Sequence, residues 1–402
     1  MPPTPRGTRV SNARKRRRMT QADLARESGL PLATVKAVEQ DKYQDMRPRT
    51  ARRLAAALGV RVSELLGDEP DPTVPGPGRE RWEPVHRAIA GEYPDGEHAV
   101  GPTLDSLKAA FNAVTPLLLS GHLSASAIVM PALLRDTDIV AGLVPAGQRA
   151  RALTLRSQTR QVAGALMLHA REFHAAGIAF DLALEDAQDD LTAASVADER
   201  CWGLITQGRL SEAAALALDW ADRVEPGKMS RASREELAAW GRLQIRAGAA
   251  AVRDNRPEEA RHALRLARMA AAGIREDFVL GYAPWHVWGP TAVAVMMAER
   301  AVIPGTRKGA ERALGIGRRL DRDVTMTYAP AHRLDLAQAH ATLAEDDEAV
   351  GELEGLWRQR PEWLARQRGA ADTLQQMIDR RKRLTDRMAA LANALRLPLL
   401  RS

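Results

Sequence analysis

The first 66 residues hold 15 Lys and Arg against 6 Asp and Glu, and the rest of the chain holds 43 against 45. The basic excess therefore sits at the N-terminus. Clustered guanidinium and ammonium groups are counter-ions for phosphate: each contact releases a condensed cation, so binding weakens steeply with salt. A positive surface that serves only solubility is the plainer alternative, set aside because an ordered helical pattern occupies the same residues. Catalytic constellations are missing. The sequence contains no GxxxxGK[ST], no GxSxG and no GxGxxG after a strand, and its nine histidines show no HExxH spacing. Cys201 is the single cysteine, which excludes an internal disulfide and a cysteine-rich zinc site; without a nearby histidine it is expected to be a buried packing residue. The chain is therefore read as a binding protein rather than an enzyme, with no cofactor and no metal.

The elements that must hold the basic groups are legible in Thr20 to Glu39, TQADLARESGLPLATVKAVE. Thr20 with Asp23 three residues on is a capping box, and Leu24 and Ala25 follow at helical spacing. Gly29 supplies the left-handed residue between two steeply angled helices, Leu30 anchors the turn, and Val35 and Val38 bury the second helix. A helix from Val10 to Arg18 precedes this pair, behind an arm of residues 1–9. After it come a polar loop, a helix opened by Pro48 and running from Arg49 to Leu58, and a short helix ending at Leu66.

These residues resemble the lambda-repressor/Cro-like helix-turn-helix proteins, the XRE family. Gln21, Leu24, Ala25, Gly29, Leu30, Val35, Val38 and Glu39 fall on the family pattern without a gap, and Leu54, Ala55, Leu58, Gly59, Val60, Ser63, Leu65 and Leu66 match its closing stretch. The resemblance implies DNA binding through the major groove. It implies a structural ion pair between Arg14 and Glu39, and a phosphate contact at Gln21, where a helix N-terminus favours an anion. It places Leu32, Ala33, Thr34, Lys36 and Ala37 of the third helix toward base edges, and Lys42, Arg47 and Arg49 near the backbone or minor groove. The third helix departs from the usual pattern, since only Thr34 and Lys36 offer polar groups. Leu32 and Ala33 would touch thymine methyls, with DNA shape supplying the rest; Leu32 reads equally as a partly buried helix-entry residue.

Residues 67–80, with Pro70, Pro72, Pro75 and Pro77, read as a linker that leaves the head able to shift relative to residues 81–402. Beyond it a spacing of 12, 4 and 3 residues recurs at Gly164, Ala176, Phe180 and Ala183, at Gly248, Ala260, Leu264 and Ala267, and at Ala337, Ala349, Leu353 and Leu356. A looser copy runs through Cys201, Ala213, Ala217 and Trp220. Small residues at such intervals let paired helices approach closely. The units resemble tetratricopeptide repeats, which implies a right-handed solenoid with a concave face, padded by helices near 103–143 and 372–396. All eight tryptophans follow residue 81. They are either packing residues or, for Trp240, Trp285 and Trp288 with His286, the lining of a pocket for a peptide or small effector.

With 45% apolar residues, 4% aromatics and no period-two β-branched runs, the expected class is all-α: a five-helix head followed by a helical solenoid. The longest apolar stretch, around Thr291 to Met297, is far short of the roughly 20 residues a membrane span needs, so a cytoplasmic protein is expected. The function expected is that of a sequence-specific transcriptional regulator binding double-stranded DNA as a homodimer. The alternative is an interaction scaffold with a nonspecific DNA-binding head.

Overall fold

The computed structural model describes residues 5–42, 46, 48–67, 79–93, 101–320, 328–381 and 383–397. Arg47 and most of the linker lie outside them. Among the described residues the chain forms 21 α-helices and one two-stranded ribbon, an all-α fold.

Five helices build the head: α1 (Arg6–Arg16), α2 (Gln21–Ser28), α3 (Leu32–Glu39), α4 (Pro48–Leu58) and α5 (Val62–Leu66). Val10, Leu24, Val35, Leu54, Leu58 and Leu65 are buried between them, and each such side chain contributes about 1.5–3 kcal/mol by leaving water. The first helix begins at Arg6, earlier than the sequence pattern placed it. Residues 6–9 are therefore helix rather than arm. Pro5, at φ −54°, is set for helix entry, and the Gly7 N–H donates to Asp41 Oδ1 at 2.6 Å. Only glycine fits there, since a Cβ at position 7 would lie 2.5 Å from the Val38 carbonyl oxygen.

The second part of the chain continues with α6 (Glu83–Ile89), α7 (Leu104–Leu119), α8 (Leu123–Leu143), α9 (Ala146–Ala170), α10 (Phe173–Asp186), α11 (Asp190–Thr206), α12 (Leu210–Arg223), α13 (Arg234–Arg253) and α14 (Pro257–Ile274). The ribbon follows, with β1 (Phe278–Val279) antiparallel to β2 (Val287–Trp288) and Phe278 opposite Trp288. The chain then forms α15 (Pro290–Val302), α16 (Arg307–Leu320), α17 (Ala329–Leu343), α18 (Asp346–Gln359), α19 (Pro361–Leu364), α20 (Arg368–Asp379) and α21 (Asp386–Ala394).

The four repeated spacings fall on the pairs α9/α10, α11/α12, α13/α14 and α17/α18, each joined by a short turn. Their small residues act as expected. A Cβ on Gly164 would lie 2.5 Å from the Phe180 ring, so glycine is what lets that ring seat between α9 and α10. A fifth pair, α15/α16, carries the same intervals at Ala298, Ala310, Leu314 and Gly317.

Two contacts have no counterpart in the repeat spacing. The α18–α19 junction meets the α7–α8 turn: Arg360 donates to the Leu119 carbonyl, the Ser124 N–H donates to Glu362 Oε2 at 2.8 Å, and Arg366 stacks on Trp82 at 5.1 Å. The second contact fixes the head. Leu204, Ile205, Leu210, Ala213, Ala214, Ala249 and Ala250 share one buried cluster with the head's own core. The α13–α14 turn supplies the polar half of this contact. Asp254 Oδ1 accepts from the Ser63 N–H at 2.8 Å, and Asn255 Nδ2 donates to the carbonyls of Val60 at 2.9 Å and Ala55 at 3.3 Å. The linker reading allowed a head that shifts; the structure holds it docked through α4 and α5.

Asp254→Ala is expected to leave the Ser63 amide without its partner, at a cost of about 1–3 kcal/mol. Hydrogen exchange at residues 62–66 should then quicken roughly tenfold or more, since about 1.4 kcal/mol is a factor of ten. Unchanged exchange would mean that the apolar contact alone sets the docking.

Candidate nucleic-acid interface

The helix pair is fixed at both ends by backbone bonding. Thr20 Oγ1 accepts from the Asp23 N–H at 3.1 Å, and Asp23 Oδ2 accepts from the Thr20 N–H at 3.0 Å. With the Thr20 hydroxyl, the Thr20 N–H and Arg26 all donating to it, the Asp23 carboxyl is pulled down to about 2. Gly29 ends α2 at φ +62°, a conformation that disfavours any Cβ. Arg53 of α4 donates to the Ser28 carbonyl at 2.7 Å and to that of Gly29, which ties the turn to the head core.

Val35 and Val38 anchor α3 inward, leaving Ala33 and Lys36 exposed, Leu32 40% exposed, and Thr34 and Ala37 half-buried. Leu32 is thus open to a ligand rather than sealed into the core. Lys42 is exposed just beyond α3, as are Lys15, Arg16, Arg17 and Arg18 on and after α1. Around α3 itself the exposed cations are Lys36 and Lys42, while Arg17 lies beside Gly59 at the end of α4, so α3 presents a modestly cationic surface of a size a major groove can admit.

Beneath it Arg14 and Glu39 pair in bidentate fashion, Nε to Oε1 at 2.6 Å and Nη2 to Oε2 at 2.9 Å, with side chains 11% and 5% exposed. Arg14 also donates to the Met19 carbonyl at 2.7 Å. Burial alone would raise the Glu39 pKa, but the bonds from Arg14 and Gln21 hold it below the usual glutamate value. The pair locks α1 to α3.

Gln21 stands differently from its expected role. Its Nε2 donates to Glu39 Oε2 at 2.8 Å, so the side chain belongs to the structural network, and the backbone N–H at the start of α2 remains the group suited to an anion. Arg49 is a correction. It sits on the side of α4 that faces the second part of the chain, where burial and the neighbouring cations Arg53 and Arg380 lower its pKa against a weaker opposite pull from Asp372 and Asp379 of α20, and its Nε lies 3.9 Å from the Cβ position of Gly305. The inward set Ala51, Leu54, Ala55 and Leu58 leaves position 49 off the core face of α4. Arg52 is similarly enclosed, with burial bringing its pKa down to about 10.

Arg9 and Arg53 carry structural roles that sequence reading missed. Arg9 donates to the carbonyls of Leu65 and Leu66 at the end of α5. A basic residue bound to carbonyls leaves no signature that distinguishes it from one bound to phosphate.

The proposed effector pocket is filled. Trp240, Trp285 and Trp288 are 3%, 7% and 1% exposed and belong to the core. Trp285 meets Phe111 edge-on at 5.7 Å, and His286 bonds Glu199 at 2.7 Å. Packing, the plainer of the two readings, is what these residues do. Cys201 is fully buried in α11, and burial raises its thiol pKa. Among the described residues there is no cluster that could hold a metal ion and no helix long and apolar enough to cross a membrane.

This geometry is that of a helix-turn-helix. Residues 9–71 match the Cro/C1-type HTH DNA-binding domain family, and the chain carries a domain of that class at its N-terminus. The immunity repressor protein of Bacillus phage phi105 is similar to the same part of the chain, with 35% identity over 63 residues, 16% of this chain and 43% of the relative. The chain thus spans less than half the length of that relative. No solved structure matches the chain.

Proposed function

We propose that the chain is a sequence-specific DNA-binding transcriptional regulator whose helical second part, resembling tetratricopeptide repeats, dimerises and positions the heads. The observation that carries this reading is the arrangement around α3: a buried Arg14–Glu39–Gln21 network fixes the helix from below while Leu32, Ala33 and Lys36 stand exposed above. One head reaches few base edges, so two heads about 34 Å apart, in successive major grooves, would give the affinity that one lacks. The docking of α4 and α5 supports a role for the second part in setting that separation. The reading includes an effector acting there. No catalytic step is proposed.

The test is fluorescence anisotropy on selected duplexes at two salt concentrations. Thr34→Ala or Lys36→Ala should change the ranking of sites, while Lys42→Ala should weaken all sites evenly and reduce the salt slope by about one. An unchanged ranking in both α3 variants would remove them as readers. It would favour the scaffold reading, to which the shortage of polar groups on α3 lends support.

A further inference from the structure

One side of α8 is packed, and the other carries open apolar positions toward both of its ends. Leu123, Met130, Leu134 and Ala141 turn inward, whereas Ile128 and Leu143 are each 79% exposed and Ala132 is open to solvent. At 3.6 residues per turn, positions 128, 132, 135, 139 and 143 fall on one stripe. Ile128, Ala132 and Leu143, with the half-buried Ile139, make it apolar. Its charges are confined to the midpoint, where Arg135 Nε meets Asp136 Oδ1 at 3.1 Å.

This order reads the same from both ends. When two such helices run antiparallel about an axis between 135 and 136, Ile128 faces Leu143 of the second copy, Ala132 faces Ile139, and Arg135 faces Asp136. The two most exposed apolar side chains of α8 then cover each other, and opposite charges meet on both sides of the axis. A two-fold interface requires this self-complementarity. A parallel pairing would set Arg135 against Arg135.

We propose that the outward face of α8 is the seam of a homodimer, closed by a second copy of this chain in antiparallel register. The proposal rests on the two-headed reading above and names the surface that joins the heads. The small Ala132 lets the helix backbones approach, and the apolar flanks at Ile128 and Leu143 would otherwise stand in water.

Sedimentation equilibrium on the full chain at about 10 μM should give twice the chain mass of 43.9 kDa, a concentration at which micromolar affinity suffices. Arg135→Asp and Asp136→Arg, each alone, place like charges across the axis and should sediment at the mass of one chain. Mixed in equal amounts they should regain the doubled mass, because each supplies the charge the other lacks. Contact within one chain cannot produce that recovery.

A wild-type chain of single mass, or folded single variants that stay dimeric, would overturn the seam, as would a mixture of monomeric variants that fails to pair. If circular dichroism shows either charge variant unfolded, Ile128→Gln with Leu143→Gln replaces them. Both positions are exposed, and a dimer that survives the double change also overturns the proposal. Binding of the monomeric variants to a duplex with a single half-site separates the two claims. Retained half-site binding supports the DNA-reading head whatever the seam does, and loss of it in folded protein counts against the head alone.

Discussion

Asp198→Ala is expected to destabilise the second part of the chain by about 3–5 kcal/mol, the usual cost of removing one partner from a buried ion pair. Asp198, 2% exposed on α11, accepts from Arg246 at 2.9 and 3.0 Å and from Arg242 of the same helix α13. Its neighbour Glu199 bonds His286 at 2.7 Å, so one short segment ties α11 to α13 and to the loop between the β-strands. Without the carboxylate, two largely enclosed guanidinium groups would share only Glu199, 4.0 Å from Arg242, as counter-charge. Burial alone would raise the Asp198 pKa, but Arg242 and Arg246 hold it well below the usual aspartate range. The sign follows. A folded-state pKa below the unfolded one gives stability that is complete above the ordinary aspartate value and is lost as pH falls through the folded value. Urea denaturation at neutral pH should show the full loss for Asp198→Ala and a smaller one for Asp198→Asn, which keeps the shape. A loss below about 1 kcal/mol for the alanine variant would mean that water, not protein, neutralises the arginines.

Glu39→Ala is the second large effect. It takes the carboxylate from both Arg14 and Gln21, leaving Arg14 only the Met19 carbonyl, and a cost of about 3 kcal/mol is the lower end of what breaking a buried pair brings. The loss should fall on the head, freeing α3 from α1, so DNA affinity drops together with head stability although the Glu39 side chain is 5% exposed and turned to Arg14. The depressed pKa of Glu39 gives its contribution the same sign as that of Asp198: present above the ordinary glutamate value, lost as acid reaches the folded one. Amide exchange in α1 and α3 that stays slow in the variant would show that apolar packing holds the head by itself.

The head was legible because its constraints are local. A cap at Thr20, a left-handed glycine at 29 and two inward valines each act within a few residues, and the same distances that fix the turn fix the sequence spacing. The helix pairs were legible for the same reason, since Gly164 against Phe180 is a contact across one turn. What escaped depends on distant partners. Arg49 reads as a phosphate contact until the second part of the chain buries it, and Gln21 reads as free until Glu39 takes its amide. Asp254 and Asn255 sit in an ordinary helix turn, and nothing near them in sequence shows that α4 and α5 lie above. The tryptophans failed as a pocket on physical grounds of another kind: an indole lines a cavity or fills a core by the same apolar chemistry, and only neighbours such as Phe111 decide which.

The most direct test of the central claim is selection of bound DNA from a random pool by the full chain, repeated at two salt concentrations. A regulator that reads DNA through two α3 helices should recover an inverted repeat whose half-sites are separated by whole helical turns, enriched at both salts. A pool that stays random, with binding that vanishes as salt rises, would reduce the head to a nonspecific phosphate contact and contradict the account.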